Sequence, residues 1–432
     1  MRIPLIGALL LLAAAPAPAR FAPDERRMAA TVDAESARTV ALLERLVNRN
    51  SGTLNLEGVR AVGEMIRAEL EPLGFNVRWV DMAETGRAGH LVATHAGRGR
   101  NILLIGHLDT VFEPDSPFQA FTRAGNRATG PGIGDDKGGV VVIVAALRAM
   151  HAAGTLRTAS ITIVLTGDEE RVGAPLAIAR RDLIEAGRRA DFALEFENLA
   201  TEDGREFGSI ARRSSTNWTL TAHGRTGHSA GVCGPALGCG AIYEMARILD
   251  AFRRELPEPN LTYNVGVIAG GTPATIDADG FRAAASGKTN IVAETAIARG
   301  DIRTLSSEQE TRARAAMQAI VAQHLPRTSA ELVFADDGYP PMAPTDGNRA
   351  LLARLNGVNR DLGLAEMAEF DPARRGAADS SFVAGDVDTL AGLGAAGGGT
   401  HAEGEWVDLD SLPRQAKRAA ILITRLGRER RR

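Results

Sequence analysis

The chain has 432 residues, 44% of them hydrophobic and 24% charged, with a formal net charge of −3. That length exceeds one ordinary domain of roughly 100–200 residues, so two or three domains are expected, and the near-balanced, interspersed charge leaves no field to gather nucleic acid or anionic lipid. Two cysteines exclude a disulfide framework and a Cys-rich zinc module, which leaves histidine and carboxylates as ligands for any metal.

In chain order, Arg2, the apolar run Ile3 to Ala15 and the small residues Ala17-Pro18-Ala19 predict an export signal over residues 1–19. The run is shorter than the ~20 residues that a spanning helix needs. The expected product is periplasmic or secreted and carries no membrane segment after cleavage. In such a compartment Cys233 and Cys239 could pair, but they lie in a Gly-rich turn and are assigned no role. Val59, Val62, Ile66 and Leu70 form a helical stripe, Asn101 to Gly106 a continuous apolar strand, Val140 to Met150 a buried helix and Ser160 to Thr166 a β-branched strand. This alternation predicts an α/β domain with a mixed, largely parallel sheet covered on both faces, whose functional groups collect at the carboxyl ends of the strands.

The texture changes near Ser209. Ser215 to His223 alternates as a half-exposed strand, Ala236 to Phe252 reads as an amphipathic helix, and Ile291 to Ile302 is extended again. Ser306 to His324 is helical, with Ser306 as N-cap and Glu308 and Glu310 in the dipole-favoured first turn. The organisation expected is a first domain over residues 26–208 and 326–427, interrupted by an α+β unit over 209–325. Leu412, Ala416, Ala419, Ile423 and Leu426 share one face of a terminal helix, and the basic residues 428–432 form a solvated tail.

Five segments carry chemistry. His107-Leu108-Asp109 follows the first apolar strand, where side chains two apart project together, one able to ligate and the other to accept its second ring N–H. Gly130 to Gly139 contains Asp135-Asp136-Lys137; paired acids would repel a phosphate, so the loop presents carboxylate oxygens to a cation. Asp168-Glu169-Glu170 ends the β-branched strand, and in extended geometry its two glutamates face opposite ways, one toward metal and one toward a water. Glu195 and Glu197 follow another apolar stretch. A late Gly-rich loop, Gly397 to Gly399, delivers Thr400-His401 before Glu403 and Glu405.

These segments, in this order, closely resemble the M20 family of dinuclear zinc peptidases and amidohydrolases, in particular its bacterial glutamate carboxypeptidase-like members, over roughly Leu42 to Leu426. The resemblance implies a zinc-binding catalytic domain interrupted by a dimerisation, or lid, domain. It implies that Asp135 bridges two metals, that His107 and Glu197 complete one site and Glu170 and His401 the other, that Glu169 is the general base, and that Asp109 supports them. Glu195 is the fallback for Glu197. Two Zn²⁺ ions per chain are expected, with Co²⁺ or Mn²⁺ also compatible with an N/O donor set. The resemblance further implies a cis peptide between Asp135 and Asp136, a homodimer in which His228 reaches the partner's site, and Asn290 and Arg303 as ligands for a substrate's terminal carboxylate. His90, His95, His151, His223 and His324 are read as structural. The activity expected is hydrolysis of a small peptide or N-acyl amino acid next to a free carboxylate; an aminoacylase or dipeptidase is the alternative enzyme, and a peptide-binding protein with a degenerate metal centre the non-enzymatic one.

Overall fold

The computed structural model of the protein describes residues 21–277 and 280–430, so the export segment and the last two arginines of the basic tail lie outside the described residues. The larger sheet is built from β1 (Asn76–Asp81), β2 (Gly89–His95), β3 (Asn101–His107), β4 (Ser160–Thr166) and β5 (Phe192–Glu195). A short strand at Thr389–Leu390 extends it beyond β5, and the order of the others is β1-β2-β4-β3-β5. β4, β3 and β5 run parallel, while β1 and β2 pair antiparallel at the far edge. The central strand β3 is buried from Ile102 to His107, as an apolar run covered on both faces requires.

Two helical layers provide that cover. On one face, helix α1 (Leu56–Leu70) buries its stripe of Val59, Val62, Ile66 and Leu70, and α2 (Lys137–Ala153) buries every residue from Lys137 to Met150. On the other face, α3 (Arg181–Arg189) packs Leu183 and Ala186 against Leu103, Ile105 and Val164.

Between residues 216 and 334 the chain builds a second sheet, from β6 (Thr216–His223), β7 (Thr262–Gly271), β8 (Thr295–Arg303) and β9 (Ser329–Phe334). It is antiparallel, in the order β7-β8-β6-β9, and is covered on one face by α4 (Ala241–Glu255) and α5 (Ser307–Val321). Its core is its own: Trp218, Leu220, Ala298 and Ile302 from the strands meet Met245, Ile248, Phe252, Met317 and Ile320 from the helices. Ser306 caps α5 by accepting the N–H of Gln309. Helix α6 (Ser411–Gly427) then returns to the first core beside α2. Among the described residues no helix is long and apolar enough to cross a membrane.

Four local expectations are corrected. The inserted unit, expected to end at residue 325, runs on through β9, which pairs with β6. The helix expected from Ala236 begins at Ala241, because Gly238 and Gly240 hold left-handed backbones, φ 68° and 84°, that a helix cannot contain. Cys233 and Cys239, assigned no role above, are joined as a disulfide across that same turn. The extended run expected from Ile291 becomes a regular strand at Thr295, with Ile291 held in a single bridge to His228.

Candidate metal centre

Parallel register brings the strand ends together. His107 at the end of β3 pairs with Thr166 at the end of β4, and Ile105 with Glu195 at the end of β5, so the residues just beyond these ends share one rim. Asp135 arrives at that rim from the turn before α2, through a cis peptide to Asp136, and His401 from the loop before α6. The helix can approach only because Gly139 lacks a β-carbon, which would stand 1.7 Å from the carbonyl oxygen of Phe196.

The two oxygens of Asp135 face different imidazoles. Oδ1 lies 2.9 Å from His107 Nε2 and Oδ2 lies 3.3 Å from His401 Nε2, which is itself 3.0 Å from Glu170 Oε2. Two groups of potential ligand atoms, each with its members within 4.8 Å of one another, share His107: one adds Glu169 and Glu197, the other Asp135 and Glu170. The structure therefore gathers all five expected metal ligands and the expected base around one point. His107 Nδ1 turns away, 3.1 Å from the carbonyl oxygen of Asp109 and 3.4 Å from its Oδ1, which leaves Nε2 for a cation.

The electrostatics call for positive charge. Burial, together with Glu197, pushes the Glu169 carboxyl well above its ordinary value, and burial with neighbouring carboxylates carries Glu170 and Glu197 to about 7. Burial would also raise Asp135, but its hydrogen bonds to His107 and His401 win and hold it low. Conversely, hydrogen bonds to Asp135 and Glu170 lift His401 to about 10. Glu170 Oε1 is buried with no hydrogen-bond partner among the described residues, an oxygen whose lone pairs await a cation. A donor set of imidazole nitrogen and carboxylate oxygen without sulfur fits Zn²⁺, and also Co²⁺ or Mn²⁺.

Supporting groups explain why the ligands hold their places. Asp109 is fully buried: Oδ1 accepts the N–H of Glu169 at 3.0 Å, while Oδ2 accepts that of Glu170 at 3.2 Å and the Thr53 hydroxyl at 2.7 Å. Glu169 and Glu170 thus sit in a turn, and the extended alternation expected for them does not occur. Glu195, the fallback ligand, is turned away from the centre; it accepts the Ser380 N–H and pairs with Arg212, whose Nη2 also lies 2.7 Å from Glu197 Oε2. Lys137 donates to the carbonyls of Arg49 and Pro131 and ties down the Gly-rich loop. Glu405 does the larger share of that work, accepting N–H groups from Gly132, Gly134 and Asp135 at 2.8–3.0 Å. Arg212 and Glu405 were missed as functional residues; a charged side chain amid apolar or Gly-rich sequence was their only signal.

The expected substrate residues divide into two places. His228 is exposed, and its Nδ1 accepts the Ala230 N–H, so Nε2 carries the ring hydrogen. The Ser229 N–H donates to Asn290 O at 2.9 Å, which puts Asn290 beside His228. Arg303 stands at the opposite end of β8, ~26 Å away along the strand, with its Nε 2.8 Å from Asp301 Oδ2. It lines a cavity of about 410 Å³ that shares Ser215, Asn217, Phe281 and Arg299 with a cavity of about 370 Å³ opening onto Glu169 and Glu170. One cleft thus runs from the carboxylate pair to Arg303 within a single chain. Among the described residues, no hydrogen bond or ion pair joins His228 or the Asn290 side chain to the metal centre. Of the histidines read as structural, His90 accepts the Gly167 N–H below the Glu169 turn, and His95 and His324 hold Ala159 O and Glu244.

Comparison with known proteins identifies the family and the fold. The family model described as Peptidase family M20/M25/M40 matches residues 103–425. Carboxypeptidase G2 of Pseudomonas sp. (strain RS-16) is 29% identical over 400 residues, 91% of this chain and 90% of its own length. A succinyl-diaminopimelate desuccinylase of Nitrosospira multiformis is 24% identical over 396 residues, 87% of this chain and 96% of its own. In structure, the aminopeptidase PepT of Bacillus cereus superposes with a TM-score of 0.72 at 19% identity, covering 91% of this chain and 99% of that one.

Proposed function

The chain belongs to peptidase family M20/M25/M40, and on that premise we propose that it is an exported, homodimeric, dinuclear zinc hydrolase that cleaves a peptide or N-acyl amide bond next to a free carboxylate. The observation that carries this reading is the carboxylate of Asp135 set between two imidazoles, with Glu169 one residue from Glu170. His107, Asp135 and Glu197 would hold one zinc, and Asp135, Glu170 and His401 the other. Bound zinc supplies Lewis acidity at the scissile carbonyl and makes a water acidic enough to be deprotonated near neutral pH.

Glu169 takes the proton of the attacking water and returns it to the leaving amine. Its place suits that task, since it lines the cleft one residue from the ligand Glu170. Arg303, at the far end of the cleft, presents its guanidinium fork to the substrate's terminal carboxylate, displacing Asp301. A binding protein would need the ligands but not the base, so the intact Glu169 favours an enzyme. The similarity to a desuccinylase keeps an N-acyl substrate as open as a peptide.

The residues with which a partner would be met are on the inserted sheet. Edge strand β7 exposes Ile268, and α4 exposes Ile242 and Tyr243; Ile242, Met245 and Ile268 line an apolar groove of about 260 Å³ between them. A second copy docking there would cover this surface and the open strand edge. The disulfide supports export, because such bonds persist in oxidising compartments. Detection of a mature N-terminus after Ala19 tests the export reading. The activity is tested by chelation and zinc add-back on a panel of N-acyl amino acids and dipeptides, each with a free and an amidated terminus. Hydrolysis that survives chelation, or fewer than two metals per active chain, would refute the dinuclear assignment.

A further inference from the structure

The chain crosses between its two sheets twice, through residues 209–215 and 335–342, and the crossings are tied to each other. Ser215 and Tyr339 exchange backbone hydrogen bonds at 3.0 and 2.9 Å, and Arg212 and Met342 do the same at 2.9 Å each. The residue after Ser215 begins β6. Any movement of the inserted sheet therefore passes through this ladder.

The Tyr339 side chain leaves the ladder for the metal centre. Its hydroxyl donates to the main-chain carbonyl of Glu169 at 2.8 Å and accepts from Arg180 Nη2 at 2.9 Å. Arg180 is fully buried and is itself held by Asp168 at 2.6 Å and Asp379 at 2.8 Å. The Tyr339 ring rests on Phe382, centroids 4.8 Å apart, so the hydroxyl has little freedom. The N–H of the same peptide unit, that of Glu170, donates to Asp109. The peptide between Glu169 and Glu170 is thus gripped at its N–H by the first domain and at its C=O by the hinge. Rotation of that unit would redirect the two carboxylates relative to each other. Tyr339 and Ser215 also line the cavity that opens onto these two glutamates, so a substrate there touches ladder and carboxylates together.

We propose that Tyr339 is a positioning residue for Glu169, fixing the peptide that orients this base against Glu170 and making its alignment answer to the hinge between the two sheets. The inference rests on Glu169 acting as the base. Tyr339→Phe removes the hydroxyl and keeps the ring against Phe382 and Arg180. The expected result is a kcat lowered by about tenfold, the scale of one net hydrogen bond, with KM, zinc content and thermal midpoint close to the parent's. A second reading is independent of turnover: hydrogen–deuterium exchange over residues 167–172 should quicken in Y339F, in zinc-free and zinc-loaded protein alike, while that of α2 stays unchanged. Parental kcat together with parental exchange would overturn the proposal, as would a variant whose whole defect lies in KM or in lost zinc. If the parent itself shows no metal-dependent hydrolysis, the functional reading fails; the exchange experiment still decides whether Tyr339 holds this peptide.

Discussion

Glu169 and Glu170 are chemically identical neighbours with different surroundings, and the tasks proposed for them are tested through that difference. Both line the cleft, but Glu170 meets His401 at 3.0 Å and lies within ligand range of His107 and Asp135, whereas Glu169 lies within ligand range of His107 and Glu197. Glu169→Gln should therefore lower turnover by a factor on the order of 10²–10⁴, the contribution of a positioned acid–base group, and leave two zinc ions per chain. Loss of metal in E169Q, measured by elemental analysis, would show that Glu169 ligates. The same crowding of carboxylates predicts how stability depends on pH without metal. Glu170 and Glu197 titrate near 7 in the folded chain, above their ordinary 4.5, so between these values the folded state holds more protons than the unfolded and stability falls as pH rises. His401, raised to about 10 from 6.5, acts in the same direction: its contribution is complete below 6.5 and is lost as pH climbs through 10. Bound zinc should reverse the trend, since a metal binds deprotonated ligands. The gap in thermal midpoint between zinc-loaded and chelated protein should widen from about pH 5 to about pH 8; a constant gap would contradict the assigned ligands.

Strands and helices convert local sequence into this geometry, and what was legible follows from how local each signal is. The runs Asn101 to Gly106 and Ser160 to Thr166 and the stripe Val59 to Leu70 are set by neighbours in sequence, and each forms the element expected. The start of α4 departs from the helical periodicity because two left-handed glycines outweigh it. The turn at Glu169 and Glu170 is not visible in their local sequence, because it is imposed by Asp109, some sixty positions earlier. Glu405 and Tyr339 escaped notice for the same reason: their partners, Gly134 and Glu169, lie 271 and 170 positions away. Arg303 is singled out only by the family resemblance, and β8 places it at the cleft end of the strand, paired with Asp301. Arg303→Ala should accordingly lower kcat/KM on free-carboxylate substrates by roughly 10- to 150-fold, the scale of a charged hydrogen bond. Amidating the substrate should cost the parent enzyme a similar factor. Equal use of free and amidated substrates by the parent would favour an aminopeptidase or a general amidase.

At the scale of the whole molecule, the inserted sheet holds Arg303 at one end and His228 with Asn290 at the other. One rigid sheet cannot bring both ends to the metal centre of its own chain. If the cleft takes Arg303 in cis, a catalytic role for His228 would have to lie in a second copy, for which the exposed Ile242, Tyr243 and Ile268 provide a docking surface. The tautomer fits the task, because Nδ1 is occupied by the Ala230 N–H and Nε2–H is free to donate to a developing oxyanion. Loss of such a donor costs roughly 2.7–4 kcal/mol, so His228→Ala should cripple its own homodimer, and Glu169→Ala should cripple its own by removing the base. In a mixed dimer the chain carrying H228A keeps Glu169 and receives His228 from its partner, which makes one of the two sites whole. Unfolding the two inactive variants together and refolding them should therefore restore activity that neither shows alone, approaching a quarter of the parental value: random pairing makes half of the dimers mixed, each with one working site. Absence of recovery, with subunit exchange verified by differently tagged chains, would place the action of His228 within its own chain or limit it to the fold of the disulfide-closed turn beside it.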